Sequence, residues 1–166
     1  MSTRAERALT AAAHRIGRGL AAIAAPFERR GWIRAMSPEL RAAFEAEVAQ
    51  AEAAFARGDD DEAVTRFGRG HILGSYFCTS HFLAHAGMLR VAVRRARWRE
   101  ASTQALRLAG TFGTRLFVPF FGVTGNPGSG DRPIGARYAL PVEYSDLLAR
   151  QKHPRWRVSR VSSRAA

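Results

Sequence analysis

The sequence predicts an all-α fold: antiparallel helical hairpins around a buried central helix, then an extended Pro/Gly-rich strap and a basic tail. Three observations predict it. Two helix starts are written in capping residues, Ser37-Pro38-Glu39 and Gly58-Asp59-Asp60. Apolar residues between Leu40 and Phe112 recur at helical spacing. The stretch His71–Leu89 carries no Asp, Glu, Lys or Arg, although 24% of the chain is charged, and its apolar residues do not share one face. A helix apolar all round is buried in a core or spans a membrane.

The chain divides into a basic amphipathic arm (1–36), a helical core (37–115), a strap with a Gly-rich loop and a short helix (116–150), and a basic, Ser-rich tail (151–166) expected to be disordered. Thr3 and Glu6 form a capping box. Leu9, Ala13, Ile16, Leu20, Ile23 and Phe27 then follow at helical spacing, with Arg4, Arg7, Arg15 and Arg18 on the other side. An arm of this kind either lies on a membrane surface or docks on the protein's own core. Its alanine-rich apolar face favours docking.

After Pro26 and Gly31 break that pattern, Leu40, Phe44, Val48, Ala51 and Phe55 make one apolar stripe. Glu45 and Glu52 run along one margin of it and Glu47 along the other, as solvated flanks or as carboxylates within reach of a neighbouring histidine. Gly58-Asp59 closes this helix and opens the next, so the two should pack antiparallel. Ala54, Gly58, Asp59, Ala63 and Phe67 are reminiscent of a tetratricopeptide hairpin, but no second copy follows.

The central helix is expected to run from about Asp60 to Arg94, bent near Gly68–Gly74. A further helix covers about Trp98–Phe112. Leu116–Phe121 is broken by Pro119 and reads as the start of the strap. Gly122–Gly130 is a turn-rich loop without the Gly-Lys-Ser/Thr of a phosphate-binding loop. Pro141–Arg150 reads as a last short helix.

A chain of 166 residues can bury a core without disulfides or a structural metal. Its single cysteine excludes an internal disulfide and fits a reducing, cytoplasmic setting. The formal charge is +12, nearly all of it arginine, with Lys152 the only lysine. Codon bias explains this better than a nucleic-acid or anionic-membrane partner does, because the charge is unevenly spread. If such a partner exists, Arg94, Arg95, Arg97 and Arg99, or Lys152, Arg155 and Arg157, would meet it. Another protein or a second copy of the chain are the other open partners. His81, His85 and the hydroxyls of Ser75, Thr79 and Ser80 make Ile72–Leu89 a poor membrane span. The short run Gly19–Ala25 is no convincing leader.

Three of the five histidines and the only cysteine lie in the central stretch. On a continuous helix His71, Cys78, His81 and His85 fall within an arc of about 80°. Cys78, His81 and His85 have the spacing that brings side chains together on one helix face. Metal sites in bundles add ligands from facing helices, for which Glu45, Glu52 and Glu100 are the candidates. Thiolate plus imidazole favours zinc or copper. His71 would stand about 15 Å along the axis from that group, as an outlying ligand or outer partner. Ordinary core histidines with hydrogen-bond partners are the commoner case. No arrangement of nucleophile, base and acid names a reaction. A non-catalytic scaffold with a basic tail on an anionic partner is the alternative function.

Several motifs taken together resemble a family of small uncharacterised bacterial helical proteins, domain of unknown function 3703. They are Gly58-Asp59, Gly70-His71-Ile72-Leu73-Gly74, His81-x3-His85 with Met88-Leu89, Glu100-x3-Gln104-x2-Arg107, and Val118-Pro119 with Gly122-Val123-Thr124-Gly125. The resemblance spans roughly residues 44–125 and implies an all-helical fold without naming an activity. The chain departs from the pattern at Gly68, where the family usually has Glu, at Ser75 for Gln, at Val123 for Asn, and by one residue added after Pro119.

Overall fold

The computed structural model describes residues 36–121, 125–130 and 139–151, with scattered positions of the arm between Arg4 and Pro26; side chains within 112–121 are not described. Among the described residues the chain is all-α, with five helices in the body and no strand: α1 (Pro38–Arg57), α2 (Asp60–Gly74), α3 (Cys78–Arg94), α4 (Trp98–Phe121) and α5 (Val142–Arg150). None of them is long and apolar enough to cross a membrane.

Both caps form as the sequence predicts. Ser37 Oγ accepts from Leu40 N–H at 3.2 Å, with Pro38 in the first turn, where a missing N–H is harmless. Gly58 ends α1 at φ +85°, a left-handed conformation that an L side chain resists. Asp59 then caps α2 by accepting from Glu62 N–H at 3.1 Å. So short a turn lays α2 back along α1, and α3 and α4 continue the same packing, each against the helix before it.

The expected continuous central helix is two helices. Ser75-Tyr76-Phe77 breaks it, and Phe77 is extended at φ −116°. The reversal is held by Phe77 N–H donating to Gly74 O and His81 N–H donating to Phe77 O, both at 2.8 Å. Gly74 permits it, since a Cβ there would come within 2.8 Å of Ser80 Cβ. Periodicity alone could not show the break, because an apolar run reads the same whether the helix continues or folds back. The buried character did carry over: His81, Phe82, Ala84–Met88 and Arg90–Ala92 of α3 are all buried.

A second correction concerns the strap. Residues 116–121 are the last turns of α4 and not extended chain. Pro119 lies two residues before the end of α4 and removes one helical hydrogen bond there, and the helix runs on past it to Phe121. Residues 125–129 and 139–141 are non-helical, as expected of a strap.

One core cluster joins Leu40, Phe44, Ile72, Leu73 and Phe77 to Tyr144 and Leu148 of α5. A second joins Ala51, Ala54 and Phe55 to Ala63, Phe67, Met88 and Val91. Tyr144 Oη donates to Glu47 Oε1 at 2.7 Å, and Gln151 Oε1 accepts from Ser37 N–H at 2.7 Å, which pins α5 to the start of α1. The arm is helical at its described positions, yet Ile16 and Ile23 of its expected inner face are 47% and 66% exposed. A face built mostly of alanine offers little area to bury, and the docking expected of it is not made there. His14 and the tail residues lie outside the described residues.

Between α3 and α4, Ala96 is exposed at φ +54°, with Ala96 N–H on Val93 O and Arg97 N–H on Ala92 O. A left-handed alanine is strained by about 1 kcal/mol. Ala96→Gly relieves the strain and adds chain entropy to the unfolded state, for an expected net gain of about 0.5 kcal/mol. The gain should read as a higher urea midpoint at unchanged slope.

Candidate metal centre

The reversal at Ser75–Phe77 brings His71, near the end of α2, against His81 and His85, in the first turns of α3. All three are buried, at 9%, 8% and 3% exposure. His81 Nε2 stands 2.9 Å from His71 Nε2 and 3.0 Å from His85 Nε2, and the three nitrogens lie within 4.8 Å of one another. The expected distance between His71 and His85 assumed an unbroken helix. Their ring centroids are 4.7 Å apart.

Hydrogen bonds behind two of the rings fix their tautomers. Asn126 O, a carbonyl that can only accept, lies 2.9 Å from His71 Nδ1. Gln104 Oε1 lies 2.7 Å from His85 Nδ1, and Gln104 Nε2 donates to Gly128 O at 2.9 Å, which orients the amide. His71 and His85 therefore carry their proton on Nδ1 and turn the Nε2 lone pair toward the centre. His81 can supply at most one Nε2–H between two acceptors, and its buried Nδ1 has no partner.

Residues 125–130 close over this centre. Gly128, at φ +72°, lies flat on His71, and a Cβ there would sit 2.8 Å from His71 Cδ2. Asn126 Oδ1 accepts from Gly128 N–H at 2.9 Å. Arg107 donates to Gly128 O and, at 2.8 Å, to Ser129 O. Pro127 packs on Gly68, where a Cβ would come within 2.9 Å of the proline Cβ. The loop is thus tied to His71 directly and to His85 through Gln104.

Burial holds all three imidazoles neutral. The pKa of His71 falls well below the usual value through desolvation, then through His81 and His85. That of His81 falls to about 4 through desolvation and the Arg107 charge. That of His85 falls to about 3 through desolvation, then His81, with the Gln104 hydrogen bond acting the other way. Neutral imidazole is the form that binds a metal. Zinc–nitrogen bonds of about 2.0–2.1 Å in a tetrahedron place the nitrogens about 3.3 Å apart. To admit an ion the two short separations would open by a few tenths of an ångström, and the third, within 4.8 Å, would have to close toward the same spacing.

The other residues expected at a site stand elsewhere. Half-buried Cys78 places Sγ 3.9 Å from Thr111 O, outside the histidine group. Glu45 is exposed, Glu52 binds Arg90 at 2.6 Å, and Glu100 lies 3.7 Å from Arg97. Of the arginines expected to meet an anionic partner, Arg94 pairs with Asp60 and stacks on Phe55, and Arg95 pairs with Asp60 and Asp61. Arg99 is exposed. Lys152, Arg155 and Arg157 lie outside the described residues. Reading the sequence for ligands passed over Gln104, Asn126, Arg107 and Gly128. The only signal was the family-like spacing of Gln104 and Arg107.

No curated protein and no solved structure matches the chain. The model of a family described as "Protein of unknown function (DUF3703)" matches residues 38–148, which takes in α1 to α4, the closing loop and most of α5. With that match spanning most of its length, the chain belongs to the DUF3703 family.

Proposed function

We propose that the protein is a metal-binding domain that holds one zinc or copper ion on the Nε2 atoms of His71, His81 and His85. The convergence of three buried Nε2 atoms, two of them fixed as lone pairs by hydrogen bonds from behind, carries the reading. Without a cation, one proton must serve three buried nitrogens, and unpaired buried polar atoms are destabilising by about 1–3 kcal/mol each. A cation accepts all three lone pairs at once. Imidazole ligands suit zinc and copper and disfavour magnesium and calcium. A reducing, cytoplasmic setting belongs to the same reading.

The test is thermal melting of chelator-treated protein, produced without a histidine tag, with and without zinc(II) or reduced copper. At a hundredfold excess over Kd, linkage adds about 2.7 kcal/mol. In a domain of this size that raises Tm by about 5–10 °C. His81→Ala and His85→Ala should lose the rise, and Cys78→Ser should keep it. An unchanged Tm in the wild type with every metal would remove the proposal.

A further inference from the structure

The charge balance of this centre has a chemical consequence. His71, His81 and His85 are neutral donors, so they contribute no negative charge. Among the described residues no carboxylate or thiolate joins their group. Glu45 is exposed, Glu47 and Glu62 are on Arg66, Glu52 is on Arg90, and Glu100 is beside Arg97. Among the described residues the charge that bears on all three rings is positive. It is Arg107, held to the closing loop by Gly128 O and Ser129 O, with Gly128 against the His71 ring.

A divalent ion here would keep its full charge among buried side chains, beside a guanidinium. A buried charge without a counter-charge is strongly unfavourable. Three protein ligands also leave a tetrahedral ion one position short. One small anion meets both needs. Resting on the metal reading above, we infer that the divalent-loaded centre captures an exogenous small anion as the fourth ligand of its metal, with Arg107 supplying the attracting charge. The closing loop restricts the class. Where Gly128 meets His71 there is no room for one methyl group, which disfavours bulky organic anions on that side and restricts the class to compact ones.

The test uses the full chain loaded with cobalt(II), whose visible absorption reports the fourth ligand. Loading is first checked at one equivalent by metal analysis. Azide or thiocyanate, added in halide-free buffer, should shift the visible band saturably at one anion per metal. Arg107→Gln should weaken azide by about tenfold with cobalt retained, as loss of one nearby charge requires. Arg107→Lys, which keeps the charge without the forked donor, should restore most of the affinity. That recovery would not follow if Arg107 only held the loop. One equivalent of cobalt with a band that neither anion moves overturns the inference and leaves the metal site standing. Uptake of copper(I) with refusal of cobalt(II) and zinc(II) overturns it too, since a monovalent three-coordinate ion needs no anion. Failure to load any metal removes the metal site itself.

Discussion

Metal-free protein should lose stability steeply as pH falls from about 6.5 toward 4, far more than a helical domain of ordinary surface histidines would. The folded chain keeps His71, His81 and His85 neutral, with His81 depressed to about 4, His85 to about 3 and His71 well below its usual value. In the unfolded chain each imidazole takes up a proton near pH 6.5. Below that pH the unfolded state binds more protons than the folded one, so stability is fully present above 6.5 and is lost on the way down. Each imidazole removes about 1.4 kcal/mol per pH unit until its folded pKa is reached. Three together approach the whole stability of a domain, about 5–15 kcal/mol. Urea midpoints measured with a chelator from pH 7.5 to 4.5 should give a slope approaching three protons per chain. A slope of one or less would mean that two of the imidazoles are charged or hydrated in the folded protein.

Phe67→Ala should be destabilising by about 3–5 kcal/mol. Phe67 is 1% exposed, in the cluster of Ala51, Ala54, Ala63, Met88 and Val91. Its ring fills the space that a Cβ on Gly87 would occupy. Phe67 stands one turn before His71 and Gly87 just after His85, so this contact sets how closely α2 and α3 approach at the histidines. Gly87→Ala should also destabilise, by about 1–3 kcal/mol, through overpacking. The double substitution should cost clearly less than the sum, because each change makes room for the other. Denaturant melts of the four proteins measure the coupling. Strict additivity would show that the two side chains do not share this space.

The parts of the fold that local chemistry decides were legible in the sequence. Ser37, Gly58 and Asp59 satisfy helix ends with their own atoms, so reading them needs no knowledge of distant partners. The break at Ser75–Phe77 was not legible, since no proline or charge marks it and Gly74 reads equally as a packing glycine. That one missed reversal also misplaced His71. His81 and His85 share a face whether or not the helix breaks, because both lie within one turn of α3. The choice of glutamates as partners followed charge, whereas the structure uses a neutral amide, Gln104, and a backbone carbonyl, Asn126 O. A backbone carbonyl has no residue signature, and a glutamine in a helix looks like any surface position until its neighbours are known. Pro119 misled in the opposite direction, because a proline beyond the first turn usually ends a helix, and here the helix runs on two residues past it.

The bond between Gln151 Oε1 and Ser37 N–H has a consequence for ionic strength. The segment before residue 36 carries seven arginines against two glutamates, and the segment after 151 carries four arginines and Lys152 with no acid. Each is therefore +5, and together they hold ten of the twelve net positive charges. Both begin at the same spot, since residues 37 and 151 are hydrogen-bonded, so two like-charged chains are tethered at one end of the body. Repulsion between like charges joined there is expected to oppose the Ser37 and Gln151 contact, and hence the docking of α5, most strongly at low salt. Counter-ions relieve it once the Debye length shrinks to about 10 Å, near 0.1 M salt. The far end of the molecule, at the α1–α2 turn, has Asp60 and Asp61 paired with Arg94 and Arg95. Salt is therefore expected to act unequally on the two ends of one domain.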